Sequence, residues 1–193
     1  MAQSAKAKLP ATYADLIKVP DNLVAELIGG ELFASPRPAV PHAVAASELT
    51  VSLGGPFGRG SGGGPGGWRI LYEPELHFAA DVLVPDLAGW RLTRMPQAPK
   101  TAAIELPPDW ICEIVSPSTG RIDRIRKMPV YARVGVQHAW LIDPLQRSLE
   151  VYRLESSHWM LVGAYENDAL VRAEPFDAVE LDLLPLWGEE RAK

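Results

Sequence analysis

The sequence predicts a single α+β domain, and three observations support that prediction. The chain has 193 residues, 47% of them hydrophobic, which is enough for one folded domain with a substantial core. Apolar runs of strand type are concentrated after Trp68, while helical spacing is confined to a few shorter segments. No repeat or linker divides the chain, so residues 1–193 are expected to form one domain with its core at about 22–165.

The N-terminal elements follow from turn and cap residues. Residues 11–19 are predicted to form a short helix that a proline ends, and Gly29-Gly30 predicts a hairpin turn between two short strands. Residues 41–53 have apolar side chains at helical spacing and predict a helix that ends in glycine. Segment 54–67 has nine glycines in fourteen positions and no Gly-Lys-Ser or Gly-Lys-Thr, so a flexible loop is expected rather than a phosphate-binding loop.

The rest of the chain is predicted to be mostly strand. Strand patterns cover 68–78 with an interruption at Pro74, then 82–90, 110–115, 139–144, 149–154 and 159–165. Residues 120–134 are helical in composition, and Pro129 either kinks this helix or starts a second turn. The apolar tail 181–187 is expected to dock on the core.

Composition excludes several classes of protein. No apolar run reaches the roughly 18 residues that cross a bilayer, and residues 1–10 lack the apolar core of a secretory signal, so a cytoplasmic protein is expected. Cys112 is the only cysteine, which excludes an internal disulfide framework. The net charge of −5 argues against a general nucleic-acid coat protein. A local basic run within 121–133 is compatible with either a phosphate-facing surface or a solvated helix face.

Two carboxylates are the most informative residues. Asp86 follows Pro85 at the end of one apolar run, and Glu113 lies inside the next. Because strand side chains alternate, Glu113 is expected on one face with Ile111 and Val115. An ionised carboxylate in apolar surroundings requires a compensating positive charge, and paired carboxylates are a common way to hold a divalent cation beside a phosphate. The pair therefore predicts a metal-dependent phosphate chemistry.

These residues resemble the active-site core of the PD-(D/E)XK nuclease superfamily, and more narrowly a bacterial family of restriction-endonuclease-like proteins of unknown substrate. The matching stretches are Glu26-Leu-Ile-Gly-Gly-Glu31-Leu, Ser35-Pro36 with His42, Val84-Pro-Asp86, Pro108-Asp-Trp-Ile-Cys-Glu113-Ile-Val-Ser-Pro-Ser, Lys127 with Tyr131 and Gly135-Val, and Trp140-Leu-Ile-Asp-Pro144.

The resemblance implies a mixed central β-sheet flanked by helices, with Asp86, Glu113 and the backbone carbonyl of Ile114 binding Mg2+ or Mn2+. It implies an endonuclease that hydrolyses phosphodiester bonds, with DNA as the expected substrate. The superfamily lysine normally follows the glutamate by two residues, where this chain has Val115. Lys127, on the following helix, is the matching catalytic lysine.

Structural roles remain open for each of these residues. Glu113 is alternatively a core glutamate paired with Lys127 or an arginine, Asp86 a turn cap, and Lys127 a solvated helix residue. Three further candidates can either complete the site or have a structural role alone: Glu26, Glu31 and His42.

Three functional classes follow from the sequence. The first is the nuclease, for which a homodimer is expected because a two-fold protein can address both strands of a duplex. The second is a catalytically inactive binding module that keeps the fold. The third is an interaction protein that uses its six tryptophans at an interface.

Overall fold

The computed structural model describes residues 9–36 and 38–191, which form a mixed α/β structure. Residues 1–8 lie outside the described ranges. The prediction that the chain lacks a secretory signal depends in part on this segment. No helix of the described chain has the length and apolar character needed to cross a bilayer.

Twelve strands form three sheets in the described chain. They are β1 (Leu23–Ile28), β2 (Glu31–Pro36), β3 (Trp68–Tyr72), β4 (Leu76–Phe78), β5 (Asp81–Leu83), β6 (Leu87–Arg91), β7 (Trp110–Ile114), β8 (His138–Asp143), β9 (Ser148–Glu155), β10 (His158–Glu166), β11 (Leu170–Val171) and β12 (Leu181–Asp182). The central sheet has the order β10-β9-β8-β7-β6-β3, in which β7 and β8 are parallel and the other neighbours antiparallel. An antiparallel sheet has the order β2-β1-β5-β4, and β11 pairs with β12.

The helices are short apart from one. They are α1 (Tyr13–Leu16), α2 (Val40–Leu53), α3 (Gly120–Ile122) and α4 (Met128–Arg133), with a π-helical turn at Asp123–Lys127 between the last two. Further turns are π-helical at Gly54–Arg59 and 3-10 at Ser61–Gly63 and Leu184–Trp187. Pro129 lies in the first turn of α4, where its missing N–H costs no helical hydrogen bond.

Two apolar clusters cover the two faces of the central sheet. On one face Trp110, Cys112 and Ile114 of β7 pack against Leu49 and Leu53 of α2. The C-terminal segment contributes to the same cluster, so the core extends beyond its expected end near residue 165; its members there are Val171, Ala173, Phe176, Leu181, Leu183 and Leu186. On the other face Ile111 and Val115 pack against α4 and the antiparallel sheet. The predicted mixed sheet with flanking helices is confirmed.

Two predicted strands are wrong in one respect: each is divided between two sheets. The 82–90 run forms β5 and β6, which lie in the antiparallel and central sheets, and the 68–78 run forms β3 and β4 in the same way. The chain changes sheet at Pro85 and near Pro74, because proline cannot donate a ladder hydrogen bond.

The glycine-rich segment differs from the expected loop. Its first part continues α2 as a π-helical turn and buries Phe57 in the core. A Cβ on Gly64 would lie 2.4 Å from the Cα of Pro56, so close backbone approach explains at least this glycine. The glycines in this segment therefore permit close packing of the backbone. Composition alone does not distinguish a closely packed segment of this kind from a flexible loop.

The tryptophans are core residues. Trp68, Trp90, Trp110 and Trp140 are buried, and Trp159 and Trp187 are partly buried against the two clusters. The fold therefore does not offer the exposed tryptophans that the interaction-protein interpretation requires.

Candidate active site

Asp86 occupies the point where the chain leaves β5 and enters β6. Its Oδ2 accepts a hydrogen bond of 2.6 Å from the backbone N–H of Ile114, which fixes the carboxylate beside β7. Because the N–H and C=O of a strand residue point to the same side of the strand, the Ile114 carbonyl faces the side on which Asp86 lies. Asp86 and the Ile114 carbonyl, both predicted ligands, are thus on one side of β7.

Glu113 lies on the face of β7 that the alternation predicts and is 1% exposed. Its Oε1 accepts a 2.6 Å hydrogen bond from the hydroxyl of Tyr131, and its Oε2 lies 3.0 Å from Nζ of Lys127. Burial raises the pKa of Glu113 well above its ordinary value, and the charge of Lys127 opposes that shift. Glu113 therefore depends on nearby positive charge to remain ionised.

Lys127 is buried at 4% exposure and belongs to the site rather than to the solvated helix face. Its Nζ lies 3.0 Å from Glu26 Oε1 and donates to the carbonyl oxygen of Val84 at 3.2 Å. Burial alone would lower the pKa of Lys127, but the charges of Glu113 and Glu26 outweigh burial and raise the pKa. The ammonium is thus held protonated. Lys127 thus contacts Glu113 although it follows it by fourteen residues in the sequence.

One helical face supplies three groups to the site. Asp123, Lys127 and Tyr131 follow each other at intervals of four residues, which places them one above the other along the π-helical turn and α4. Asp123 Oδ1 lies 3.6 Å from Lys127 Nζ, and Asp123 is 3% exposed. Sequence reasoning did not identify Asp123 as a site residue, although the four-residue spacing was a usable signal.

His42 reaches the site from the first turn of α2. Its Nε2 lies 3.0 Å from Asp86 Oδ1, whereas Nδ1 is buried and has no hydrogen-bond partner among the described residues. Burial would lower the pKa of His42, but hydrogen bonding to Asp86 and the Asp86 charge raise it overall. His42 is therefore a partner of the Asp86 carboxylate.

Of the two remaining glutamate candidates, one lies in the site and the other does not. Glu26 is buried and accepts the backbone N–H of Val84 at 2.8 Å through Oε1, so it belongs to the site. Glu31 is exposed and lies 3.5 Å from Arg126, so the structure does not bring it to the carboxylates. The hairpin turn explains this outcome, because Glu26 pairs with Phe33 while Glu31 sits at the strand end opposite Ile28.

The basic run is largely neutralised by its own neighbours. Arg124 pairs with Glu150 at 3.5 Å, Arg126 with Glu31, and Arg133 with Asp81. Asp81 also accepts the backbone N–H of Gly29 at 2.7 Å, so it has a structural role. Arg121, within α3, is exposed.

A cavity of about 310 Å³ joins these groups. Both predicted carboxylates, Lys127 and His42 line it, together with the loop that follows β7. In that loop the hydroxyl of Ser116 is within hydrogen-bond distance of the hydroxyls of Ser118, at 3.0 Å, and Thr119, at 2.9 Å. The cavity therefore combines carboxylates, a buried ammonium and hydroxyl groups at one end of β7.

The donor set fits a hard divalent cation. Asp86, Glu113 and the Ile114 carbonyl offer oxygen atoms only, which is the ligand type that hard divalent cations prefer. Among the described residues, no group of three or more His, Cys, Asp or Glu side chains is arranged as a metal cluster.

The Asp123 carboxyl gives a testable pH dependence. Burial raises its pKa from 3.8 to about 6, with Lys127 opposing the shift. A carboxyl group with a raised folded-state pKa stabilises the fold fully below its unfolded pKa, and this contribution is lost as pH rises through the folded pKa. Asparagine does not titrate, so the unfolding free energy of Asp123→Asn minus that of wild type should increase as the pH rises from about 4 to about 7. The expected increase is on the order of 1–3 kcal/mol. Urea titrations of both proteins at each end of that pH range measure this increase. The same difference in unfolding free energy at both pH values would contradict the prediction.

Comparison with known proteins identifies the fold and the family of this chain. A putative nuclease belonging to DUF820 from Anabaena variabilis has a crystal structure that matches with a TM-score of 0.74 at 24% identity, covering 93% of this chain and 98% of the other. That likeness establishes the fold. A search of curated proteins finds no match. The model of the Uma2 family, described as putative restriction endonuclease, matches residues 10–184, and the chain therefore belongs to the Uma2 family.

Proposed function

We propose that this protein is a Mg2+- or Mn2+-dependent endonuclease that hydrolyses phosphodiester bonds in DNA. The observation that carries the proposal is the meeting of Asp86, Glu113 and Lys127 in one cavity, from three elements that are far apart in sequence. Membership of a nuclease-like family supports the reaction class.

Each residue has a role that its contacts support. Asp86 and Glu113, with the Ile114 carbonyl, would hold the cation, which when bound activates water and neutralises charge on the phosphoryl group. His42 orients Asp86 through the 3.0 Å contact, and Tyr131 orients Glu113 through its hydroxyl. Lys127 places an ammonium where it can align the attacking water or stabilise the phosphoryl oxygens.

Cleavage assays test this proposal directly. Supercoiled plasmid, linear duplex, single-stranded DNA and RNA are incubated with the protein and Mn2+ or Mg2+, with EDTA as the control. Metal-dependent cleavage of DNA that EDTA abolishes is the expected result. Binding of DNA without cleavage in any of these conditions would favour the inactive binding module instead.

We also propose that the protein is a homodimer that pairs through the edge strand β10. Within the described chain the outer edge of β10 has no strand partner, and residues 159–165 carry no charge. Met160, Leu161 and Val162 are 48%, 54% and 37% exposed. Antiparallel pairing with a second copy would cover these side chains and bring His158 towards Glu166 of the partner subunit.

A matched pair of variants tests the dimer. Leu161→Lys is expected to convert a dimer to a monomer, since it places a charge in the interface. Leu170→Lys changes a leucine of nearly equal exposure, 53%, on β11 and should leave the dimer intact. Analytical ultracentrifugation measures both. A monomeric wild type, or a dimeric Leu161→Lys variant, would contradict this pairing.

A further inference from the structure

Lys127 has more oxygen neighbours than it can satisfy. An ammonium has three N–H donors. Four oxygens surround Nζ: Glu26 Oε1 at 3.0 Å, Glu113 Oε2 at 3.0 Å, the Val84 carbonyl at 3.2 Å and Asp123 Oδ1 at 3.6 Å. The first three take the three donors, so Asp123 is left as a charged neighbour just beyond hydrogen-bond distance.

Asp123 is thus a buried carboxylate without a full counter-ion. It is 3% exposed, and its side chain interacts with Thr119 in addition to Lys127. A buried carboxylate that lacks a hydrogen-bonded positive partner is destabilising. The cation ligands proposed above do not include Asp123, so its presence has another cause.

Each carboxylate oxygen of Glu113 already accepts one hydrogen bond in this arrangement. Oε1 accepts from Tyr131 and Oε2 from Lys127. A divalent cation at Glu113 repels a neighbouring ammonium strongly in a buried site, whereas it does not repel the neutral hydroxyl of Tyr131 to the same degree. Lys127 is therefore the group that leaves Glu113.

We propose that Asp123 is a positioning residue that receives the ammonium of Lys127 when a divalent cation binds Glu113. Lys127 exchanges Glu113 Oε2 for Asp123 Oδ1 and keeps Glu26, so that Asp123 gains a hydrogen-bonded counter-ion in the metal-bound state. The exchange retains the ammonium inside the cavity, beside the position of a bound phosphate. This inference rests on the proposed function, because it requires a cation at Glu113.

A double-mutant cycle on Mn2+ affinity tests the exchange. In the wild-type background, Asp123→Asn is expected to weaken Mn2+ binding by about tenfold. Losses of this size are typical for residues that do not bind the metal themselves but interact with groups around its ligands. In a Lys127→Met background the same change should have an effect of less than about twofold, because no ammonium remains to be moved. Calorimetric titration of the four proteins measures both effects. An equal loss in both backgrounds would mean that Asp123 acts on the cation directly, and it would overturn the proposal.

A second measurement requires no substitution and covers the case in which Lys127→Met does not fold. In a crystal structure of the wild type loaded with Mn2+, Lys127 Nζ is expected within about 3.2 Å of Asp123 and no longer on Glu113 Oε2. A loaded structure with Lys127 still on Glu113 Oε2 would overturn the exchange while leaving the nuclease proposal standing. A wild type that binds no Mn2+, alone or with DNA, would overturn both.

Discussion

Replacement of Lys127 by methionine is expected to lower the unfolding free energy of the metal-free protein by about 3–5 kcal/mol. Methionine fills a similar volume but removes the ammonium that lies among Glu26, Glu113 and Asp123. Three buried carboxylates then share one space without a counter-ion, which is the costly case of a broken buried ion pair. Chemical denaturation at neutral pH measures the loss.

Arg126→Met is the matched control for this variant. Arg126 precedes Lys127 in the same turn, but its side chain is 50% exposed and its partner Glu31 is 59% exposed. Such a pair contributes at most about 1 kcal/mol, so this variant should remain close to wild type. Added Mn2+ should restore part of the stability of Lys127→Met, since the cation supplies the missing charge. Similar stability of the two variants would contradict the counter-ion role of Lys127.

Replacement of Glu113 by glutamine is expected to lower the rate of metal-dependent DNA cleavage by about 10³ or more. Glutamine keeps the shape of the side chain, and its amide oxygen can still accept the hydrogen bond from Tyr131. The charge that would hold the cation is lost, while Glu26 and Asp123 still compensate Lys127. Single-turnover cleavage of plasmid DNA measures the effect.

Glu31→Gln provides the control for that experiment. Both glutamates belong to the sequence pattern that predicts the site, but Glu31 lies outside the cavity and is exposed. Its substitution should leave cleavage within about twofold of wild type, as for a surface position away from the site. Equal losses in both variants would show that the sequence pattern identifies the site better than the geometry does.

The positions of Asp86 and Glu113 in the fold follow from local rules that can be applied to the sequence. Alternation along β7 places Glu113 on the correct face, and Pro85 marks the point where Asp86 leaves the strand. The hairpin at Gly29-Gly30 and the helix ending near Leu53 follow from turn residues and spacing in the same way.

The parts that sequence does not predict depend on long-range pairing. Pro85 marks a break within 82–90, but it does not indicate that β5 and β6 join different sheets, because the choice of sheet depends on partners distant in the chain. For Asp123 the four-residue spacing to Lys127 and Tyr131 is a local signal, but its burial depends on the packing of α4 on β7. The glycine-rich segment is a further example, since composition alone does not reveal the close approach of Gly64 to Pro56.

The most direct test of the central claim is a calorimetric Mn2+ titration of wild type and Glu113→Gln, each with and without duplex DNA. Binding by wild type that Glu113→Gln loses is the result we predict, and it would place a divalent cation at the buried carboxylates of β7. No binding by wild type in either condition, or equal binding by both proteins, would contradict a metal-dependent active site at Asp86 and Glu113.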